Sequence, residues 1–294
     1  MTKSIEKTEG SIYSPLMDGE IKRLAIQAKQ TKKADMAPVK DLKEIYKSKE
    51  RVCILDVGCG YGTVVRDRFS DWDNVFVVGI DFQEGALEVA RQLNCDTDCY
   101  VFEQANIDVD TIDERMKQIM QKYDIDGFDI IFGAYIMQHI DDPVGFFKRC
   151  RSFLNDDGYI LLRNTADKST ISYGDNGLIK EIQDRSEKAP GNASRDLGMM
   201  LHHHLYVADY KEIQVYGWLK DISNMSQEER LSILHERFGW RSMYFKSALD
   251  KDPTNKELKE NYDWMVDALA RLEEIFKDPA FWYGETILNV LAKK

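Results

Sequence analysis

Between residues 52 and 162, five short and densely apolar runs alternate with longer amphipathic stretches. The runs occupy residues 52–57, 75–80, 100–102, 128–133 and 159–162, and the stretches between them occupy 64–69, 86–93, 112–120 and 144–154. A run that is apolar on both sides suits a strand covered on both faces, and each amphipathic stretch suits a crossover helix. The pattern therefore predicts βαβ units around a parallel sheet, an α/β fold. Local punctuation agrees. Asp142-Pro143 is a cap and first-turn pair for the helix starting at Val144, and Asn155-Asp156-Asp157-Gly158 reads as a turn into the fifth strand.

Outside this block the pattern changes. Residues 1–50 are polar and helical in spacing and read as an N-terminal cap, not as core. Residues 167–192 turn to Ser, Asp, Gly and Asn and read as a mobile loop or lid. Helical spacing returns over 194–207, a strand is predicted at 212–218, and capping boxes at Ser226 and Thr254 open two further helices. Residues 281–291 form a last strand. The expected organisation is a cap at 1–50, a ligand-binding core at 51–165, and a region at 166–294 that completes the same domain.

Charge and cysteine usage remove several function classes. There are 40 Lys and Arg against 51 Asp and Glu, a net charge of −11, which disfavours nucleic acid or an anionic membrane as partner. The five cysteines, Cys53, Cys59, Cys95, Cys99 and Cys150, include no CxxC pair, so neither a disulfide framework nor a zinc site is expected. No signal-peptide or transmembrane run is apparent, and a cytoplasmic location is expected.

The most informative stretch is Ile54-Leu55-Asp56-Val57-Gly58-Cys59-Gly60-Tyr61-Gly62-Thr63, an apolar strand running through three alternate glycines into a helix. Glycines here permit positive φ and close approach of a ligand to the backbone. The third glycine comes one residue too early for a dinucleotide fingerprint, and Asp56 would repel a pyrophosphate while suiting a ligand with an ammonium group. The second strand ends at Asp81, placed to accept hydrogen bonds from a ribose; the third ends in Gln104-Ala105-Asn106, where a polar side chain could meet an adenine edge. The fourth ends in small residues before Tyr135 and the segment Ile136-Met137-Gln138-His139. A plain strand-to-helix turn at the glycines and a helix cap at Asp81 are the competing readings.

The ordered series LDVGCGYG, VVGID, EQAN, FDIIFGAYIMQHIDDP and FLNDDGYILLRN resembles the class I S-adenosylmethionine-dependent methyltransferases over about residues 51–165. It is most similar to the small-molecule branch that includes quinone-biosynthesis and biotin-precursor methyltransferases. The resemblance implies a Rossmann-like, seven-stranded, doubly wound sheet with an antiparallel last strand, decorated by helical cap and lid additions. It implies S-adenosylmethionine as cofactor. Gly58, Cys59, Gly60 and Gly62 would lie against its methionine part with Asp56 nearby; Asp81 would bind the ribose, Phe82 flank the adenine, Asn106 and Ile107 meet the adenine edge, and Ala134 offer backbone contact to the methionyl group. The family usually carries Asp where Asn106 stands.

Methyl transfer from a sulfonium is an in-line displacement that depends mainly on alignment, so a base is needed only where the nucleophile arrives protonated. His139, Tyr135 and His203 are the candidates for that role. Consecutive helical residues point about 100° apart, so His202-His203-His204 cannot converge on one metal ion, and no metal is expected. Tyr13, Tyr173 and Trp218 could line a substrate cavity or simply pack, and Arg195 could meet a substrate carboxylate or a neighbouring Asp. The expected reaction is methylation of an O or N nucleophile of a small molecule, with a homodimer left open as assembly. Two alternatives stand beside it: an inactive binding protein of the same fold, and an enzyme using the sulfonium for another reaction. An NAD oxidoreductase is a more distant one.

Overall fold

The computed structural model describes residues 20–109, 111–164, 166–190 and 196–294. In chain order the elements begin with helix α1 (Glu20–Tyr46), β1 (Val52–Val57), α2 (Thr63–Phe69), β2 (Val75–Asp81), α3 (Glu84–Leu93), β3 (Tyr100–Gln104), α4 (Ile112–Lys122) and β4 (Phe128–Ala134). There follow α5 (Pro143–Phe153), β5 (Leu154–Asn164), β6 (Ile171–Tyr173), α6 (Leu178–Glu187), α7 (Leu197–Val207) and β7 (Lys211–Asp221). The chain closes with α8 (Gln227–Arg237), α9 (Arg241–Lys251), α10 (Lys256–Lys277) and β8 (Trp282–Lys293). Strand order is β3-β2-β1-β4-β5-β8-β6, with β7 also paired to β8. The first five strands are parallel and β8 runs antiparallel to β5. The sheet thus has eight strands instead of seven; the extra one, β6, lies in the stretch read from sequence as a lid.

The chain divides into two compact units, here the sheet unit (residues 24–168, 196–219 and 286–294 of those described) and the helical unit (20–23, 169–190 and 220–285). In the sheet unit, period-two side chains send Leu55, Val78, Ile131 and Leu162 to one face, against α4, α5 and α7. Ile54, Val77, Phe132 and Leu161 go to the other, against α1, α2 and α3. Both faces being covered is why the strands read as unbroken apolar runs.

Helix α1 is more than a cap. Val39, Leu42 and Tyr46 are buried in the same cluster as β1 and β4, and burying an aliphatic side chain of this size is worth about 1.5–3 kcal/mol. The Tyr46 hydroxyl also reaches the carbonyls of Asp129 at 3.0 Å and Asp157 at 3.1 Å. Pro38 lies inside α1 and has no N–H for the carbonyl four residues earlier, that of Ala34. Asn289 of β8 supplies the missing donor, with Nδ2 at 3.1 Å from the Ala34 oxygen. The six Lys of α1 gave the helix the polar look of a cap in the sequence.

Other sequence expectations are adjusted locally. Asp142 caps α5 as expected, accepting from Gly145 N at 3.0 Å, whereas residues 155–158 belong to β5, which shifts register between Phe128 and Ile130. In the helical unit, the stretch read as a loop contains α6, because Leu178, Ile179 and Ile182 fall on one helical face and join the core of Ile233, Met265, Leu272 and Phe276. Three helices, α8 to α10, follow in place of two. The Ser226 box forms in both directions, but the cap of α10 is Asn255, which accepts from Leu258 N at 3.1 Å, while the Thr254 hydroxyl turns to Asp252.

Candidate functional site

The register of the sheet unit aligns the carboxyl ends of its strands. Asp56 pairs with Gly79 of β2 and Phe132 of β4, Asp81 with Gln104 of β3, and Ala134 with Arg163 of β5. Ligands of open α/β sheets bind at this edge. Gly58, Gly60 and Gly62 have φ of 69°, 53° and 67°, all left-handed. They differ in surroundings. A Cβ on Gly58 would lie 2.6 Å from Ile136 Cδ1, and one on Gly62 would lie 2.5 Å from the Phe102 ring, so both are glycines because protein packs against them. A Cβ on Gly60 would meet nothing within 4 Å. At that position the turn faces open space.

The turn is tied to the end of β2. Gly58 N and Cys59 N donate to the Ile80 carbonyl at 2.8 and 3.0 Å. The Asp81 carboxylate accepts from Gly60 N through Oδ2 and from Gln83 N through Oδ1, each at 3.0 Å. Burial pushes the Asp81 pKa up, and the N–H groups of Gln83, Gly60 and Phe82 oppose that shift. The carboxylate is thereby held in one orientation with lone pairs to spare for hydroxyl donors. Asp56 is 3% exposed and its pKa is pushed up to about 8, by burial first and then by the charge of Asp81, against the opposing pull of Arg163. Removing a carboxylate from water without a full counter-charge disfavours its ionised form, so a cation arriving at this edge would recover that cost. Burial, then Asp56 and Asp81, push the Cys59 thiol well above its ordinary range, which keeps it neutral.

The other predicted residues lie as follows. Phe82 is 45% exposed, beside Asp81. Asn106 is exposed and its Oδ1 accepts from Asp108 N at 3.0 Å, while Ile107 is buried. Ala134 ends β4, and Tyr135 follows with a left-handed φ of 62°, unusual for a non-glycine and costing about 1–2 kcal/mol. His139 ends a 3₁₀ turn, Met137–His139, with its ring Nε2 3.1 Å from Gln138 Nε2. His203 is exposed on α7, with its ring 5.8 Å from that of His204, so it is not drawn into the strand-end cluster by any contact described. Among the described residues no group of three His, Cys, Asp or Glu could hold a metal ion. Nor is any described helix long and apolar enough to cross a membrane. Tyr13 and Arg195 lie outside the described residues; Tyr173 is 80% exposed.

A family model described as a methyltransferase domain matches residues 48–236, well over half of the chain. This chain belongs to the methyltransferase-domain family. Among curated relatives of this methyltransferase domain, a ubiquinone biosynthesis O-methyltransferase of Neisseria meningitidis is 28% identical over 120 residues, 41% of this chain and 46% of that protein. A malonyl-[acyl-carrier protein] O-methyltransferase of Acetivibrio thermocellus is 28% identical over 125 residues, 42% of this chain and 39% of that protein. The chain therefore spans less than half the length of these relatives. The YcgJ protein of Bacillus subtilis, a solved structure, matches 87% of this chain and 97% of its own with a TM-score of 0.50 and 14% identity, a likeness of fold.

Four contributors to this candidate site escaped the sequence reading. Ile136 closes over Gly58, and Phe102 fills the space under both Gly62 and Gly79. Gly79, a glycine inside an apolar strand, was the available signal for that close packing. Arg163 and Asp35 form a buried ion pair. A charged residue at the end of the apolar run Leu161-Leu162 was the signal for Arg163; nothing in α1 singled out Asp35.

Proposed function

We propose that this chain is an S-adenosylmethionine-dependent methyltransferase that transfers a methyl group to an O or N nucleophile of a small molecule. The observation that carries the reading is the Gly60 cradle: an open, left-handed glycine, held by Asp81 and backed by a buried Asp56 whose proton a cationic ligand would displace. These residues fit the cofactor. Asp56 and the backbone of 58–62 would take its methionine end, Asp81 its ribose hydroxyls, and Phe82, Asn106 and Ile107 its adenine. When bound, it supplies an electrophilic methyl on a sulfonium.

The chain's own contribution is alignment. The glycine turn and the β4 end at Ala134 and Tyr135 would hold the methyl donor in place, so that the acceptor can approach in line; holding reactants so is worth up to about 7–11 kcal/mol. Tyr135 is our first candidate to orient or deprotonate the acceptor, since it directly follows β4 and its ring packs against the Arg163 guanidinium, 4.7 Å from ring centre to guanidinium carbon. His139 is the second candidate, and His203 the third. The acidic net charge of −11 supports a small molecule in preference to a polyanion, in the reduced cytoplasm.

Titration calorimetry with S-adenosylmethionine, S-adenosylhomocysteine and NAD tests the cofactor. Binding of the first two and not the third is expected, and the reverse would overturn the reading. Mass spectrometry of candidate acceptors incubated with the protein then tests the reaction. A product without one added methyl would point to other sulfonium chemistry.

A further inference from the structure

Arg163, near the end of β5, is 1% exposed. Its Nη1 is bonded to Asp35 of α1, itself 0% exposed, and Asp35 also takes Arg68 Nε at 2.7 Å. Two guanidinium groups thus share one buried carboxylate. Arg68 has other partners: the Ala28 carbonyl at 2.7 Å, the Thr31 hydroxyl at 3.2 Å, and Asp67. Arg163 is directed elsewhere. Its guanidinium carbon lies 4.7 Å from the centre of the Tyr135 ring, stacked on it. Its backbone carbonyl accepts from Tyr135 N at 2.8 Å. Tyr135 is therefore gripped at main chain and side chain while in its left-handed conformation, one residue before the Ile136 that closes over Gly58. A staple between α1 and the sheet would need only the Asp35 arm.

Asp56 and Arg163 fall on one face of the sheet, linked across it by Phe132 and Leu161, and two charged groups act on the Asp56 carboxyl, Asp81 from β2 and Arg163 from β5. We infer that Arg163 is a positioning residue of the site: anchored by Asp35, it fixes Tyr135 at the end of β4 and supplies the cation that faces Asp56. The inference rests on the cofactor reading above. It differs from a packing role in sign. Removing Arg163 takes a positive charge away from Asp56, whereas removing the charge of Asp35 leaves the field of Arg163 less neutralised.

The test is calorimetric titration with S-adenosylhomocysteine between about pH 6 and pH 9, with circular dichroism to verify folding. The wild-type chain is compared with Arg163→Met, Arg163→Lys and Asp35→Asn. The pH midpoint of the affinity is expected to rise by about one unit in Arg163→Met, to fall in Asp35→Asn, and to stay within a few tenths in Arg163→Lys. Affinity lost equally at every pH with an unmoved midpoint, or a midpoint moved in the same direction by Arg163→Met and Asp35→Asn, overturns the inference. Should Arg163→Met not fold, Asp35→Asn decides by its sign. A wild-type chain that binds no S-adenosylhomocysteine at any pH defeats the cofactor reading first, and this inference with it; binding with unmoved midpoints defeats this inference alone.

Discussion

Gly60→Ala separates ligand binding from folding at the glycine turn. All three glycines have positive φ, so an alanine at any of them costs roughly 1–2 kcal/mol in backbone strain. At Gly62 the new methyl would also sit 2.5 Å from the ring of Phe102, which is 4% exposed and wedged against Gly79 as well, so the ring cannot retreat. Overpacking of that kind adds about 1–3 kcal/mol. At Gly58 the clash, 2.6 Å, is with the tip of Ile136, which can rotate away in part. At Gly60 no clash is added. The expected order of destabilisation is therefore Gly62→Ala, then Gly58→Ala, then Gly60→Ala, with the last limited to the roughly 1–2 kcal/mol of backbone strain. Binding should follow a different order. The Gly60 methyl occupies the space assigned to the cofactor, so affinity should fall at least tenfold, about 1.4 kcal/mol, in a chain that is nearly as stable as wild type. Urea unfolding gives the first quantity and titration with S-adenosylhomocysteine the second. A Gly60→Ala chain that binds within twofold of wild type, or one less stable than Gly62→Ala, would refute the reasoning.

Asp56, with a pKa near 8 in the unliganded protein, is mostly protonated at pH 7, so binding a cationic cofactor should release close to one proton there. Calorimetry in buffers of different ionisation enthalpy should show this release, and Asp56→Asn should abolish it; equal release from both chains would remove Asp56 from the cofactor site. The same group sets a trend in stability. Its folded pKa lies above its unfolded value of about 4, so its contribution is present in full below about pH 4 and is lost as pH rises through about 8. The unliganded melting temperature of Asp56→Asn should accordingly exceed that of wild type at alkaline pH, with the gap closing towards pH 4; a gap that is constant with pH would contradict the assignment. Finally, Asn289→Ala should cost about 1–3 kcal/mol by leaving the Ala34 carbonyl unsatisfied. Because Pro38→Ala restores the helical donor, the double variant should recover part of that loss in urea unfolding, and simple additivity would show that the bond does not stand in for the missing N–H.

The alternation of apolar runs and helices in residues 52–162 was enough to predict five strands in a parallel sheet, though not their order, because a strand covered on both faces leaves an unbroken apolar trace in the chain. The glycine turn and the carboxylates Asp56 and Asp81 were legible for the same local reason: each requirement sits within a few residues of the strand end it serves. The short strand β6 and helix α6 were not, since their polar composition resembles a loop, β6 forms only by pairing with β8, and the few apolar residues of α6 matter only through partners in α8 and α10. Which glycine faces open space and which faces protein was likewise invisible, as the deciding atoms belong to Ile136 and Phe102, distant in sequence from the turn. The Asp35–Arg163 pair joins residues 128 apart in the chain, and the proton on Asp56 follows from its burial and from the charge of Asp81, against the pull of Arg163. Sequence alone thus determined the kind of fold and pointed to the sheet edge that carries the candidate site. Tertiary structure decided how that edge is charged and how tightly it is packed, because electrostatic fields and van der Waals contact depend on distances in space and not on separation along the chain.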